Sequence, residues 1–417
     1  MAVDIRLKRQ IISLSATLLL ISMVWSASAW GQAFRSGLNF ISASQNPTTG
    51  MWGAPDGTLL RDSTVVLETL ALAGQVGSTF TQGVAGTADR SAMNNDDRAR
   101  QAAILRRAGK DVSLLLDELL ASQNPEIFDP AQRDFPGRGW GLAASFGNST
   151  IDTALALRAL QAAGFPGVLS IVRENLIADG TGPSRPFTVP SGATDLMLKV
   201  QQVGGGTVRF LLKQPNMASL FIDIPPGGAP VRVALPLSVG SWSFWTENLS
   251  GTPATYTAEI AFIGPDGFDH FRITDTLTYL GLAQNNDGGW GLAPGEDSHL
   301  MVTTEVVRAL AGSGGAFGPG QTLTAAANWL RSFQNPDGGF SSEAGLSNPN
   351  ETGLAAVAIG LADPGASLES AATFLEGIQL PGGSWGNDAY LTAIAMQALQ
   401  VAGKGLEPLI FKDSFEQ

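Results

Sequence analysis

The chain of 417 residues contains no cysteine, only two histidines (His270 and His299) and three tyrosines. Without cysteine there is no disulfide, no thiolate nucleophile and no cysteine-held zinc. Two histidines are too few to supply the three or four convergent ligands that zinc requires. Charge is scarce as well. Against 37 acidic residues stand 25 basic ones, for a net charge of −12, and beyond the N-terminal leader the only basic run is Arg98 to Lys110, on an expected helix. Nucleic acid is therefore not an expected partner. The sequence carries no P-loop, no dinucleotide-binding glycine motif after a strand, no Gly-x-Ser-x-Gly elbow and no Cys/His pair, so no cofactor and no metal are expected.

Long apolar runs are nearly absent too. The one at Ile11 to Trp25 follows Arg6, Lys8 and Arg9 and precedes two small-residue cleavage sites, Ala27-Ser28-Ala29 and Gly31-Gln32-Ala33. That order is a secretory signal peptide, placed at residues 1–33, with a core too short for a spanning anchor. The mature protein is expected outside the cytoplasm, secreted or periplasmic and open to cell-surface association, with no stable membrane insertion after cleavage. Its stability must come from the core that a chain of this length buries.

What the chain does contain is a repeat. Phe40-Ile41 leads to Gln45 and Gly50-Met51-Trp52; Tyr279-Leu280 leads to Gln284 and Gly288-Gly289-Trp290. Trp329-Leu330, Gln334 and Gly338-Gly339-Phe340 follow the same spacing, as do Phe374-Leu375, Gln379 and Gly383-Ser384-Trp385. A degenerate copy runs from Glu118-Leu119 and Gln123 through a long turn to Gly139-Trp140. Each copy reads as helix, Gly-rich turn, helix, a unit that cannot bury its own apolar face and must stack on neighbours. The glutamine is expected to link helices through its amide, under the tryptophan ring. Asp287 and Asp337 belong to turn chemistry, because the later glutamate of a calcium loop is missing.

Aligning the second helices on Leu70, Leu160, Leu310, Ile359 and Leu399 brings a hydroxyl to one position in every copy: Ser63, Thr153, Thr303, Thr352 and Thr392. The residue before it is Asp62, Asp152, Val302, Glu351 or Leu391. Capping and packing account for this column, since a hydroxyl or an acid in the first turn of a helix satisfies orphan N–H groups and suits the helix dipole.

The pattern of aromatic, aliphatic, Gln and Gly-x-Trp resembles the QW repeat of the terpenoid cyclase and protein prenyltransferase superfamily, over Phe34 to Ala178 and Phe271 to Gly403. The resemblance implies a mainly α fold, an α/α toroid of two concentric helix rings around an apolar cavity. It does not name a reaction. Class II cyclases of the superfamily protonate an alkene with an Asp-x-Asp-Asp motif that runs into a Thr-Ala helix. The counterpart here is Ser149-Thr150-Ile151-Asp152 before Thr153-Ala154, so that Ile151 stands where the proton donor is kept. The zinc set of the prenyltransferases and the cysteine of the thioester proteins are absent.

Between Pro183 and Phe262 the helical period gives way to short alternating runs separated by Gly and Pro, as in an antiparallel β-sandwich. Phe187 to Ala193, Gly240 to Gly251 and Ala254 to Thr257 resemble the bacterial pre-peptidase C-terminal domain, which implies an accessory or surface-binding module. Trp242 and Trp245 lie on opposite faces of their strand, so one is expected to be exposed. The expected domains are the toroid at 34–180 and 264–405, the sandwich inserted at 183–263, and a tail at 406–417. A helix is expected at Val168 to Ile177 before the sandwich, which is taken to replace the turn of a sixth unit. Gln75 to Asp97 reads as a loop over the cavity.

Three functional classes follow. The first is a protein without the catalytic motifs of the superfamily that binds an apolar small molecule or a surface glycan. The second is an extracellular enzyme, a glycan lyase or an isoprenoid-modifying one, using carboxylates at the toroid mouth. The third is a structural component of an extracellular assembly. The residues expected at one mouth are Asp62, Asp152, Glu351 and His299; the first three share a repeat position, so a closed ring would place them at one end.

Overall fold

The computed structural model describes residues 31–54, 57–124, 138–144, 146–163, 170–189, 191, 193, 195–215, 219–227, 231–263, 271–313, 320–343 and 345–405. The expected signal peptide (but for its last residues), His270 and the expected tail lie outside them. The described residues hold twelve helices and two antiparallel four-stranded sheets, so the fold mixes helix and sheet where a mainly α fold was expected. Along the chain the helices fall into six consecutive pairs: α1 (31–44) with α2 (Leu59–Leu72), α3 (Ser78–Ala88) with α4 (Asn95–Arg107), α5 (Ser113–Ala121) with α6 (Thr150–Ala162), α7 (Phe271–Leu282) with α8 (Leu300–Ala311), α9 (Gly320–Arg331) with α10 (Pro349–Ala362), and α11 (Glu369–Gly377) with α12 (Ala389–Val401). The expected loop at Gln75 to Asp97 holds α3 and the start of α4, so the sixth pair is α3 with α4, and the strands lie between the α5/α6 and α7/α8 pairs rather than in the turn of a unit. Phe80, Gly83, Val84 and Thr87 recur at helical spacing and bury one face of α3 despite the polar composition.

The chain divides into two compact units, one built from residues up to Arg90, Phe333–Gly360 and Pro364 onward, the other from Ser91–Ser332 and Leu361–Asp363. In the first unit α12 packs on α2, where Gln397 donates to Thr69 Oγ1 at 2.9 Å. In the second, α6 packs between α4 and α8. The second helices of five pairs bury unbroken runs, 62–67, 152–157, 302–310, 352–359 and 392–399, so they are enclosed around most of their circumference even where the run carries Asp62, Asp152, Glu305 or Arg308. The first helices bury a narrower stripe, such as Ala371, Ala372 and Leu375 of α11.

One clasp explains the repeat. The tryptophan Nε1–H donates to the carbonyl of the aliphatic residue in the preceding helix: Trp52 to Ile41 at 2.8 Å, Trp140 to Leu119 at 2.7 Å, Trp290 to Leu280 at 2.6 Å and Trp385 to Leu375 at 2.8 Å. The hydroxyl column then accepts from the backbone N–H of the same aromatic residue, at 2.9 Å for Ser63, Thr153 and Thr303, 2.8 Å for Thr352 and 3.1 Å for Thr392. The hydroxyl is therefore a tie between the turn and the helix after it rather than a cap of its own helix. The glutamine amide closes the turn from within, donating to Gly50, Gly288, Gly338 or Gly383, and Gln45, Gln123 and Gln379 reach on to the carbonyls of Thr79, Arg272 and Ala33 in another helix. Asp287 and Asp337 accept from Gly289 N and Gly339 N, which is turn chemistry.

Glycine is required at the start of each intact turn. Gly288 has φ +98°, and a Cβ there would lie 2.6 Å from the Ala325 carbonyl of α9. Gly50, Gly338 and Gly383 press in the same way on the backbone of Gln82, Ser370 and Ser36.

Within the second unit the eight strands form sheets of order β1-β8-β3-β6 and β2-β7-β4-β5. They are β1 (Ser170–Leu176), β2 (Arg185–Val189), β3 (Asp195–Gly204), β4 (Val208–Lys213), β5 (Ser219–Ile224), β6 (Val231–Leu235), β7 (Gly240–Asn248) and β8 (Ala254–Ile263). Strand β1 occupies the segment expected to be helical, because its backbone pairs with β8 from Ser170–Ile260 to Leu176–Ala254. The inward residues of both sheets share one core, with Phe210 edge-on to Tyr256 and Trp242 stacked on Phe187. Helix α7 packs on β8 and β1. There Lys199 of β3, itself buried, donates to Asp275 of α7 at 2.5 Å and lies 3.7 Å from Glu259 of β8; Arg138 reaches the same aspartate at 3.2 Å, and Thr278 bonds Glu259.

Candidate functional site

The four expected site residues divide between the two units. Asp62 and Glu351 belong to the first, Asp152 and His299 to the second. Asp62 is buried on α2, and both its oxygens are engaged, one by Thr58 Oγ1 at 2.8 Å and the other by Arg61 at 2.9 Å. Glu351 stands in the first turn of α10. Its carboxylate accepts from the Ser342 amide at 2.9 Å, the Ser342 hydroxyl at 2.6 Å and the Asn348 side chain at 2.9 Å, while Asn348 accepts the Glu351 N–H in return. The Asn348 side chain thus caps the Glu351 N–H and bonds the Glu351 carboxylate with the same amide. Burial works upward on the Glu351 carboxyl, but the Ser342 and Asn348 donors outweigh it and hold it below the usual glutamate range. Each acid serves the start of its own helix.

Asp152 is different. It lies in the first turn of α6, where Ser149 caps the helix by accepting the Asp152 N–H, and it is 7% exposed. Burial pushes its carboxyl up to about 6; the Ser149 hydroxyl pulls it down, the charge of Asp96 adds to the rise and Arg100 opposes it. Asp96 and Arg100 are ion-paired on α4, the helix packed beside α6. These two side chains were not legible as site residues, because the segment leading to them read as loop. Their signal was the run Asn94-Asn95-Asp96-Asp97, in which Asn94 caps α4 by accepting from Asp97 N at 2.8 Å.

His299 precedes α8 and is exposed, with no capping bond from its imidazole. Its backbone N–H donates to Trp290 O at 2.8 Å, so its place in the turn is set by the main chain. Thr150 N donates to Leu292 O at 2.8 Å, which joins the start of α6 to the turn before α8. Beside them Tyr279 is buried, its hydroxyl pushed up to about 12 by burial, and it donates to Asn148 O at 3.4 Å.

Around these helix starts the turns of the second unit expose large apolar side chains. Leu142 and Leu292 each stand two residues after a clasp tryptophan, and Phe146 and Met301 stand in the turn before α6 and the first turn of α8. Asn95 N donates to Leu142 O, which ties the start of α4 to the turn before α6, and Phe146 N closes that turn on Ala143 O. The starts of α6 and α8 thus combine exposed apolar side chains with one buried carboxyl, Asp152, pushed up to about 6 by burial. Among the described residues no three His, Asp or Glu side chains converge in a way that could hold a metal. In the first unit a cavity of about 410 Å³ lies between α1 and the start of α3, lined by Arg35, Leu38, Ser42, Leu70, Gln75 and Thr79; none of the four expected residues lines it.

No family model matches the chain. Drimenyl diphosphate synthase of Streptomyces showdoensis is 34% identical over 111 residues, which are 25% of this chain and 20% of that protein, so the chain matches about a fifth of that relative's length. Among solved structures, the type II terpene cyclase MstE from Scytonema in its apo form covers 91% of this chain and 98% of its own at 11% identity, with a TM-score of 0.50. A variant of MstE in complex with geranylgeranyl dihydroxybenzoate, its substrate, is similar to the same extent, at 11% identity over 91% and 98% with a TM-score of 0.50. A protein from Actinoplanes is 14% identical over 90% of this chain and 99% of its own, also at 0.50. The chain has a terpene cyclase-like fold.

Proposed function

We propose that this chain binds an apolar isoprenoid on an α/α toroid of paired helices outside the cytoplasm and does not cyclise it. The observation that carries the reading is the site at the start of α6. Ile151 stands where the class II motif keeps its acid, and the one carboxyl left, Asp152, releases its proton near pH 6. Protonating an unactivated alkene requires a far stronger donor than that, because the proton must leave for a carbon base of negligible basicity. Asp62 and Glu351 are occupied by helix-start hydrogen bonds, so neither makes up the missing acid. Support for an apolar ligand comes from the exposed Leu142, Phe146, Leu292 and Met301 at the starts of α6 and α8, and from the isoprenoid substrate of the MstE complex. The toroid draws support from the six helix pairs and the second helices enclosed around most of their circumference, and the two sheets sharing one core support the inserted sandwich.

A second reading is an isoprenoid-modifying enzyme that uses Asp152 as a general acid or base. The raised proton affinity of that carboxyl beside the Asp96 and Arg100 pair favours it, since catalytic acids are tuned toward working pH. Incubation of the purified protein with squalene and geranylgeraniol, followed by extraction and mass-resolved chromatography, separates the two. The substrates are expected back unchanged. Cyclic or otherwise converted products that disappear in Asp152→Asn would make the enzyme reading correct.

A further inference from the structure

The two-sheet part of the second unit presents a face that isoprenoid binding does not use. In the sheet β2-β7-β4-β5 the residues Trp242, Phe244, Phe210 and Leu212 point into the shared core, so the alternate residues of the same strands form the outer face. Trp242 is thereby removed as an exposed platform; its indole is buried and donates to Ser238 O at 2.7 Å. Trp245 lies on the outer face instead. The register aligns it with Leu211 of β4, and Leu211 with Phe221 of β5, giving one row across three strands. Two strand spacings set Trp245 and Phe221 about 10 Å apart. Trp245 is half-buried, and Phe221 is 62% exposed although β5 is an edge of its sheet. An exposed ring on an edge strand invites aggregation and is usually replaced by charge, so its presence calls for a use.

The neighbouring rows are polar. On one side Arg209 holds Asp223 in a two-pronged pair at 2.6 and 2.8 Å, with its guanidinium 5.9 Å from the Phe221 ring and Glu247 opposite in register. On the other side stand Lys213, Ser219 and Ser243. A stripe of rings between two rows of fixed donors and acceptors of both signs does not suit an apolar protein surface or a bilayer, either of which would bury the Arg209 and Asp223 pair without new partners. It suits a chain molecule whose faces are C–H and whose edges are hydroxyls.

We propose that this face binds a neutral polysaccharide, with sugar rings stacked on Phe221 and Trp245 and hydroxyls bonded by Arg209, Asp223 and Lys213. The site is separate from the helix starts around Asp152. The test is retention of the purified full chain on insoluble cellulose, chitin and β-1,3-glucan, compared with Phe221→Ala, Trp245→Ala and the off-face control Leu237→Ala. Phe221→Ala removes an exposed ring and leaves the fold, which thermal unfolding verifies. Expected is retention on at least one polysaccharide, weakened about tenfold or more by either ring substitution, equal to about 1.4 kcal/mol, unchanged in Leu237→Ala and kept in Phe221→Trp. Retention on none of the three, or retention indifferent to both rings, overturns the proposal. So does finding that both substitutions abolish binding to phosphatidylcholine vesicles or self-association instead.

Discussion

Replacing Lys199 with methionine is the most demanding test of how the sheets are held to the helices. Lys199 is 3% exposed and Asp275 is fully buried, and the lysine lies between that aspartate and Glu259. Methionine fills similar volume but leaves Asp275 with the partly exposed Arg138 and Glu259 with Thr278. Breaking a buried pair by removing one partner costs about 3–5 kcal/mol, because the remaining charge is stranded in low dielectric. Arg138 offsets part of this, so a loss of about 3 kcal/mol is expected. The assay is urea unfolding followed through tryptophan fluorescence, with the midpoint and slope compared. The double variant Lys199→Met with Asp275→Leu removes both charges of the shortest pair and is expected to recover part of the loss. A single variant that loses under 1 kcal/mol, or a double variant worse than the sum of the singles, would refute the idea that a compensated buried pair joins α7 to β3.

Three further outcomes follow from particular contacts. Thr303→Val keeps shape but strands the buried Trp290 N–H, so it should cost about 1–3 kcal/mol by the same assay; a cost near zero would mean the clasp hydroxyl is dispensable. Asp152 has a folded proton affinity raised above its unfolded value of 3.8, so the folded state holds the extra proton and stability falls as pH rises from about 4 through about 6. Ionised Asp152 costs on the order of 2–3 kcal/mol. Asp152→Asn should therefore be more stable than the parent at pH 8 with the difference vanishing below pH 4, and a gain independent of pH contradicts the burial assigned to this carboxyl. Ala33 is buried, and its carbonyl receives the Gln379 amide at 2.8 Å, so of the two cleavage sites expected for a signal peptide the one after Ala29 keeps this bond; mass spectrometry of protein expressed with its leader in a secreting host should find residue 30 at the N-terminus rather than residue 34.

Much of the helical architecture was legible because the repeat carries its own bonding logic. The aliphatic residue before Gln, the tryptophan and the hydroxyl eleven to thirteen residues after it recur at fixed spacing in the sequence, and the structure makes them partners of one clasp; only the last copy shortens the interval, to seven. What the hydroxyl does was less legible, because Ser and Thr early in a helix usually cap it, and nothing local distinguishes a cap from a tie to a turn. Helix α3 escaped notice because glycines and threonines outnumber its few apolar residues, and tertiary burial of Phe80 and Val84 overrides that weak propensity. Strand β1 read as helix because a short apolar-polar run fits either period, and pairing with β8 decides it. Asp62, Asp152 and Glu351 were grouped by repeat position, yet their surroundings differ. Thr58 and Arg61 engage the first and Ser342 and Asn348 the third, whereas Asp152 faces another helix, a difference set by residues distant in sequence.

The central claim is tested most directly by a photoactivatable geranylgeraniol analogue, crosslinked to the protein under saturating and competed conditions and mapped by peptide mass spectrometry. Saturable adducts are expected on the turns that carry Leu142, Phe146, Leu292 and Met301, competed by unlabelled geranylgeraniol, with the competing alcohol recovered unchanged. Adducts confined to the sheets, labelling that does not saturate, or recovery of the alcohol as a cyclised product would contradict isoprenoid binding without turnover at the start of α6.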